Sequence, residues 1–545
     1  MGDELDTLIT GAAVVTMDPL RPRAEAVGLC GGRILAVGTR DEIEALRGPR
    51  TVGIALDGGA VLPGFQDAHN HACFAGRYRL TCDLHDLHAR EEYLDAVATY
   101  AAANPDAEWI YGGGWGMPAF PGGLPRAEDL DRVVPDRPVY LVNSDLHGAW
   151  VNSRALELAG IDRATFDPPG GRIERDPDGS PTGTLHEWAR DLVAQLLPPT
   201  SQETWRAAIL ASQRHLLSLG VTAWQDAWVE PDPLDAYRAL AASGELRAHV
   251  VACQWWDRTR GTDQIAGMVE RRSASSVGTL RAGTVKIMQD GVPENFTAAV
   301  VEPYLEIDGV GGGTGFSFNR PSALREAIVA LDAEGFQVHV HTIGDRAIRE
   351  TLDAFEAAVG ANGRRDARHH LTHLQLLDPA DVGRFRALDL VATVQPYWAS
   401  ADEQMAELTI PYLGHERSGR QYAFRSLHDA GVRLAFASDW AITTADPLMG
   451  IEVAVTRTDP ENRGGEPLIA HEALDLDTAL AAATIGSAYV NHLDARTGTI
   501  EVGKDADLVV LDRDPTDPDL AGPADARVEL TLIGGEVAYE RGASP

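Results

Sequence analysis

The chain has 545 residues, 44% of them hydrophobic, and a formal charge of −34 at pH 7. That length exceeds one ordinary domain and the apolar content supplies a sizeable core, while the charge excludes nucleic acid and anionic membrane surfaces as partners, because they repel a polyanion. No apolar run reaches the ~18 residues of a membrane helix, acids occupy the N-terminus where a signal peptide carries bases, and Cys30, Cys73, Cys82 and Cys253 form no CxxC pair, so a cytoplasmic protein with reduced thiols is expected.

Residues 7–62 carry short apolar runs broken by Gly, Asp and Arg, and residues 498–540 repeat that texture. Short alternating strands with turn signals predict a small β-domain assembled from both ends of the chain; its boundaries are placed at 1–62 and 486–545. Residues 63–485 form the second unit. Within it, the stretch from about 76 to 200 is rich in Pro and Gly and reads as a large insertion over one mouth of the fold. Beyond it, Val221–Trp224, Thr284–Met288, Gln337–His341, His370–His373, Leu390–Val394 and Leu434–Ala437 are predicted strands. They alternate with helical spacing over Ser322–Glu334, Ile348–Val359 and Pro379–Leu388, the order of an α/β protein with a parallel sheet, open or closed into a barrel. The glycine-rich run 309–315 lacks the strand, Lys-Ser/Thr and helix start of a phosphate loop and reads as a flexible loop.

Several of these strands end on residues that bind metals. His69 and His71, in Leu62-Pro63-Gly64-Phe65-Gln66-Asp67-Ala68-His69-Asn70-His71, lie two apart and share one side of a strand. Imidazole suits zinc and its neighbours. Further on come Lys286, then Val338-His339-Val340-His341, then His370-Leu371-Thr372-His373, and last Ser438-Asp439. Barrel enzymes place their chemistry at such strand ends. Of 47 basic residues only Lys286 and Lys504 are lysine. Lys286 sits in an apolar strand, where an unpartnered ammonium is costly, so a role that arginine cannot fill is expected there.

With these motifs in view, the chain resembles the amidohydrolase superfamily, and within it the YtcJ-like (amidohydrolase 3) group, over nearly its whole length. The resemblance is carried by Pro63-Gly64-Phe65 before the HxH, Asp145-Leu146-His147-Gly148-Ala149-Trp150, Pro181-Thr182-Gly183, Lys286 with Asp290-Gly291, His341-Thr342-Ile343-Gly344-Asp345, Ser438-Asp439-Trp440 and Gly498–Leu508. It departs at Ala441, where proline is common, and at Leu371-Thr372-His373-Leu374 in place of Ile-Glu-His-Ala. The resemblance implies a (β/α)8 barrel with a β-sandwich built from both termini. It also implies two divalent metal ions, zinc by ligand type: His69, His71 and Asp439 for one, His341 and His373 for the other, and Lys286, carboxylated by CO2, bridging them as a carbamate. His339, one pleat deeper, is assigned a supporting role.

That ligand set implies hydrolysis of a C–N bond by a metal-activated hydroxide, with Asp439 taking the water's proton and passing it to the leaving nitrogen. His147 is a candidate to steady the oxyanion. Asp145, Glu187 and the aromatics Trp115, Tyr397 and Trp440 are expected to line the pocket, which would suit an apolar or aromatic small molecule. N-substituted formamide deformylases occur in the group, so an aryl or alkyl amide is the expected substrate; a homodimer is the expected assembly. The alternatives are a mononuclear deaminase, an isomerase or decarboxylase on the same ligands, and a non-catalytic scaffold. Deaminases of the superfamily carry a glutamate three residues after the fifth-strand histidine, where this chain has Gly344.

Overall fold

A computed structural model describes residues 4–307 and 309–543. Eight parallel strands form the central sheet: β1 (Phe65–Asn70), β2 (Val221–Val229), β3 (His249–Trp255), β4 (Leu280–Met288), β5 (Gln337–Thr342), β6 (His370–His373), β7 (Val391–Val394) and β8 (Leu434–Phe436). Each pairs with the next in order, and the sheet returns on itself just past β8. There the Asp439 N–H donates to the His69 carbonyl at 2.9 Å and the His71 N–H donates to the Trp440 carbonyl at 2.6 Å. Asp67 stitches the same seam, accepting from the Ser438 amide at 3.0 Å and its hydroxyl at 2.6 Å. Burial pushes the Asp67 carboxyl up to about 6 against these donors.

Register sets the site. In the β4–β5 pair Lys286 lies opposite His339 and Met288 opposite His341; in β5–β6 Thr342 lies opposite His373. The alternating side chains of adjacent strands are thus brought to the same end of the barrel.

The outer helices are explained by their termini and their apolar stripes. Ser201 caps Gln202–Ser218, its hydroxyl accepting from the Thr204 amide. Pro321 opens Pro321–Ala333, where its missing N–H costs nothing, and Leu324, Ala327, Ile328 and Leu331 turn inward. Asp345–Asn362 buries Ile348, Leu352, Phe355 and Ala358 in the same spacing.

The chain ends meet in one eight-stranded sheet, in which Ala60–Pro63 pairs antiparallel with Leu508–Leu511. Thr7–Val15 pairs with Arg23–Cys30 on one edge and, along its two halves, with Val52–Ala55 and Ala60–Pro63 on the other. Ile9, Val27, Leu29, Ile34, Val61, Leu508, Val510 and Leu532 share one core, while Leu62, Val509 and Leu511 face the barrel. That is the period-two alternation of strands buried on both faces.

Between β1 and β2 lies an ordered six-stranded sheet spanning Cys82–Asp83 to Pro181–Glu187. It has its own core around Tyr93, Trp115, Phe120, Leu141 and Trp150. No helix among the described residues is long and apolar enough to cross a membrane.

Candidate metal centre

Three groups converge at the mouth of the barrel. His69 Nε2 lies 3.0 Å and His71 Nε2 3.2 Å from Oδ1 of Asp439. These three residues form a set of buried donors able to hold one cation. His69 Nε2 and Asp439 Oδ1 make no hydrogen bond, and neither does His373 Nδ1, 3.8 Å from Asp439 Oδ2. Buried polar atoms without partners are costly, and neutral imidazoles beside a carboxylate are the donor chemistry of a divalent metal. The residues present fit the ion.

Burial pushes the His69 imidazole down to about 3 and holds His341 and His373 well below the usual histidine range, so all three are neutral donors at pH 7. Burial opposes the charge on Asp439, but the facing His69 and His71 outweigh it and keep the carboxyl well below its usual value.

The second group completes the ring. The His373 ring centroid lies 5.0 Å from that of His69 and 4.3 Å from that of His341. Lys286, 2% exposed, has His69 Nδ1 as its hydrogen-bond partner at 3.4 Å. Burial pushes its ammonium down to about 7. His373 (φ 77°) and Asp439 (φ 57°) both hold left-handed backbone at their strand ends. Such conformations cost about 1–3 kcal/mol each and persist where the surroundings impose them, commonly at working sites.

Supporting contacts reach the ring from below and beside. His339 Nε2 lies 2.8 Å from His69 Nδ1, fixing that ring with Nε2 toward Asp439. Asp290 accepts from the amides of Ile343, Gly344 and Ala299 at 3.0, 2.8 and 3.0 Å, and Oδ1 stands 3.6 Å from His341 Nε2. A Cβ on Gly344 would fall 2.0 Å from the Ala299 carbonyl, so this approach needs glycine. On β2, Asp226 accepts from the Cys73 amide at 2.8 Å and the Tyr237 hydroxyl at 2.6 Å. Sequence reasoning missed Asp226 because it ended this strand at Trp224; the polar pair Gln225-Asp226 hid a strand that runs to Val229.

The insertion supplies the roof. Asp145 Oδ1 accepts from the His147 amide at 2.7 Å, and Glu187 meets His147 Nδ1 with both oxygens at 3.0 Å. Burial disfavours the His147 cation, but the charge and hydrogen bond of Glu187 outweigh it and raise its pKa above the usual histidine value. The His147 ring lies 5.4 Å from that of His341.

The resulting cavity, about 590 Å³, is lined by His69, His71, His147, Lys286, His341, His373 and Asp439 with Asp145 and Glu187. Its apolar wall is Trp188, Trp228, Trp255, Phe318 and Trp398. The three aromatic residues expected there lie elsewhere. Trp115 is 1% exposed inside the insertion's core, its indole N–H donating to the Leu141 carbonyl. Tyr397 faces a separate cavity behind β8. Trp440 turns its ring onto His215 and lends the site only its carbonyl. Strand and loop ends place residues in sequence, but side-chain direction assigns them to a cavity, and that direction comes from tertiary packing.

The chain is similar to known proteins over nearly its whole length. The model of the amidohydrolase family matches residues 52–539. Protein LONG AFTER FAR-RED 3 of Arabidopsis thaliana is 32% identical over 98% of this chain and 91% of its own length. The putative amidohydrolase YtcJ of Bacillus subtilis is 32% identical over 97% of this chain and 99% of its own. The N-substituted formamide deformylase of Arthrobacter pascens is 30% identical over 99% of both. A solved metal-dependent hydrolase of Pyrococcus furiosus superposes with a TM-score of 0.71 at 26% identity, covering 93% of this chain and 99% of that one.

The chain belongs to the amidohydrolase family. It is a metal-dependent hydrolase acting on carbon–nitrogen bonds.

Proposed function

We propose that this enzyme hydrolyses the C–N bond of a small amide bearing an apolar or aromatic group, an N-substituted formamide being the leading candidate. The carrying observation is the approach of His69 Nε2 and His71 Nε2 to one carboxylate oxygen of Asp439, with His341, His373 and Lys286 closing the ring at the base of an aromatic-walled cavity. The formamide deformylase named above, alike over its full length, supports the choice of substrate.

His69, His71 and Asp439 would hold one zinc ion and His341 and His373 a second, with Lys286 between them. The two ions would supply Lewis acidity, lowering the pKa of a water and polarising the substrate carbonyl. Lys286 suits the bridging part because burial favours its neutral amine. That amine would add to CO2 to give a carbamate and one released proton, and the two cations would offset the charge of the anion. Asp439, its carboxyl ionised, accepts the proton of the attacking water and delivers it to the departing amide nitrogen. His147, held through Nδ1 by Glu187, presents its other nitrogen to the substrate oxygen. The tryptophan wall takes the N-substituent and excludes water.

Metal analysis of purified wild type and a Lys286→Ala variant, run beside release of aniline from formanilide, tests this reading. About two ions per chain, a sharp fall in the variant and hydrolysis by the wild type are expected. One ion per chain, unchanged without Lys286, would overturn the bridged centre. Failure on formanilide and simple N-alkyl formamides alike would overturn the substrate assignment.

A further inference from the structure

A second, larger cavity adjoins the first. It opens to solvent, spans about 1050 Å³ and shares Leu146, Arg190 and Trp228 with the metal cavity as a common wall. Tyr78, Tyr111 and Tyr140 form a ladder along it, centroids 6.0 and 6.3 Å apart with planes within 24° and 6°. Two arginines face it, Arg77 and Arg190.

The arginines are unusual for this chain. Most arginines in this acidic protein meet a carboxylate, as Arg349 meets Asp378 at 2.6 Å and Arg384 meets Asp353 at 2.6 Å. Among the described residues, neither Arg77 nor Arg190 has an acidic oxygen within 4 Å. Arg77 is spread over aromatic faces, 4.4 Å from the Tyr111 ring and 5.0 Å from Trp205, and donates to Thr200 Oγ1 at 2.9 Å and to the Tyr111 hydroxyl, while its Nε is buried without a partner. Arg190 donates to the Leu146 carbonyl and stands 5.5 Å from the Trp228 ring. The hydroxyls of Tyr78 and Tyr140 bond to no described protein group. Acids act on these charges from further off, Asp191 and the buried Glu187 on Arg190 and Glu230 on Arg77, but none lies within 4 Å. Glu230 and Asp232 at the cavity border are solvent-exposed, where water and salt weaken their fields. The arginines are partly buried, where charge acts at lower dielectric.

Two part-buried cations with no carboxylate in contact, a stack of three phenols of which Tyr78 and Tyr140 have hydroxyls to spare, and an indole shared with the reaction cavity recognise a planar group bearing an anion. We infer that this second cavity is a substrate subsite that binds an aromatic carboxylate, so that the preferred substrates of this hydrolase are amides whose distal aromatic arm carries a carboxylate held by Arg77 and Arg190. This rests on the amide-hydrolase reading for the reaction and on the second cavity alone for the anion. Arg190 and Trp228, which line both cavities, are the residues that arm would have to pass.

Two measurements on the metal-loaded enzyme decide it. In the first, kcat/KM is determined for formanilide and for 4-formamidobenzoate with wild type and Arg77→Gln. The charged substrate is expected to be preferred, and the charged-to-neutral ratio to fall at least about ten-fold in the variant, the effect of losing one hydrogen-bonded charge partner. In the second, calorimetric titration with 4-methylbenzoate, against neutral 4-methylbenzyl alcohol, compares wild type, Arg77→Gln and Tyr140→Phe. The Tyr140 hydroxyl supports no part of the fold, so a roughly three-fold or greater weakening in Tyr140→Phe reports ligand contact rather than damage. Formanilide turnover with no preference for charge and no Arg77-dependent carboxylate binding would overturn the subsite and leave the hydrolase reading standing. Carboxylate binding insensitive to Arg77 and Tyr140 would place the anion on the metals and overturn the subsite equally. Arg77-dependent binding without amide turnover would overturn the substrate reading and uphold the subsite.

Discussion

Glu187 and His147, 40 residues apart in the chain, face each other with both carboxylate oxygens 3.0 Å from Nδ1. The same glutamate accepts from the Thr297 hydroxyl at 2.6 Å and holds left-handed backbone at φ 51°. A Cβ on Gly291 would fall 2.3 Å from its Oε1, so glycine there makes room for the pair. If Glu187 orients His147 toward the substrate oxygen, Glu187→Gln lowers kcat roughly 100-fold. Because the two act as one unit, the double variant with His147→Ala loses little more than His147→Ala alone. Steady-state kinetics on the three variants checks this; additive losses would separate the two residues.

His339 lies outside the lining of the reaction cavity, yet its Nε2 stands 2.8 Å from His69 Nδ1. Removing such a support commonly weakens metal binding by about 10–100-fold. His339→Ala is therefore expected to lose metal to a competing chelator at correspondingly lower chelator concentration than wild type, with the barrel's circular dichroism unchanged. Equal retention would assign His339 to packing alone.

Trp228 and Trp255 stack with centroids 3.9 Å apart and planes 5° from parallel, forming one side of the reaction cavity. Truncating Trp255 opens that wall and removes the face against which an aryl substituent rests. Trp255→Ala should raise KM for N-aryl formamides about ten-fold, by loss of stacking and of buried area, and raise it less for N-methyl formamide. A uniform change across both substrates would contradict an aromatic slot.

Far from the cavity, Asp332 accepts from Arg365 Nε at 2.8 Å, Asn362 Nδ2 at 2.7 Å and His369 Nε2 at 3.0 Å. Burial opposes its charge, but His369, Asn362 and Arg365 outweigh it and lower the carboxyl to about 2. A depressed carboxyl stabilises the fold above its unfolded pKa and ceases to do so as pH falls through the folded one. The difference in melting temperature between wild type and Asp332→Asn should thus be full above pH 5 and close progressively toward pH 2. A difference that persists unchanged into acid would show that the charge is not its source.

Much of this architecture is legible from local pattern. Alternation along a strand places His69 and His71 on one side whatever the rest of the chain does, and an apolar run ending on Asp439 marks a strand end for the same reason. The scarcity of lysine by itself singles out Lys286. Residue type and period therefore identified the other barrel strands and the candidate ligands, since both are short-range properties of the chain, but not β3 (His249–Trp255), which carries none of the candidate ligands. The insertion's ordered six-stranded sheet was not visible, because its parallel pairing of Cys82–Asp83 with Ile110–Trp115 joins strands separated by a helix and loops rich in Pro and Gly.

What only the folded chain decided are relationships between distant segments. The Glu187–His147 pair, the 2.8 Å contact of His339 with His69 across 270 residues, and the wall made by Trp188, Trp228, Trp255, Phe318 and Trp398 all depend on how separate elements are stacked. Trp115 and Trp440 show the converse: aromatic residues near the right loops turn into neighbouring packing, where burial removes their apolar surface from water. A sequence specifies which side chains reach a strand end; packing between segments determines which of them face the same space.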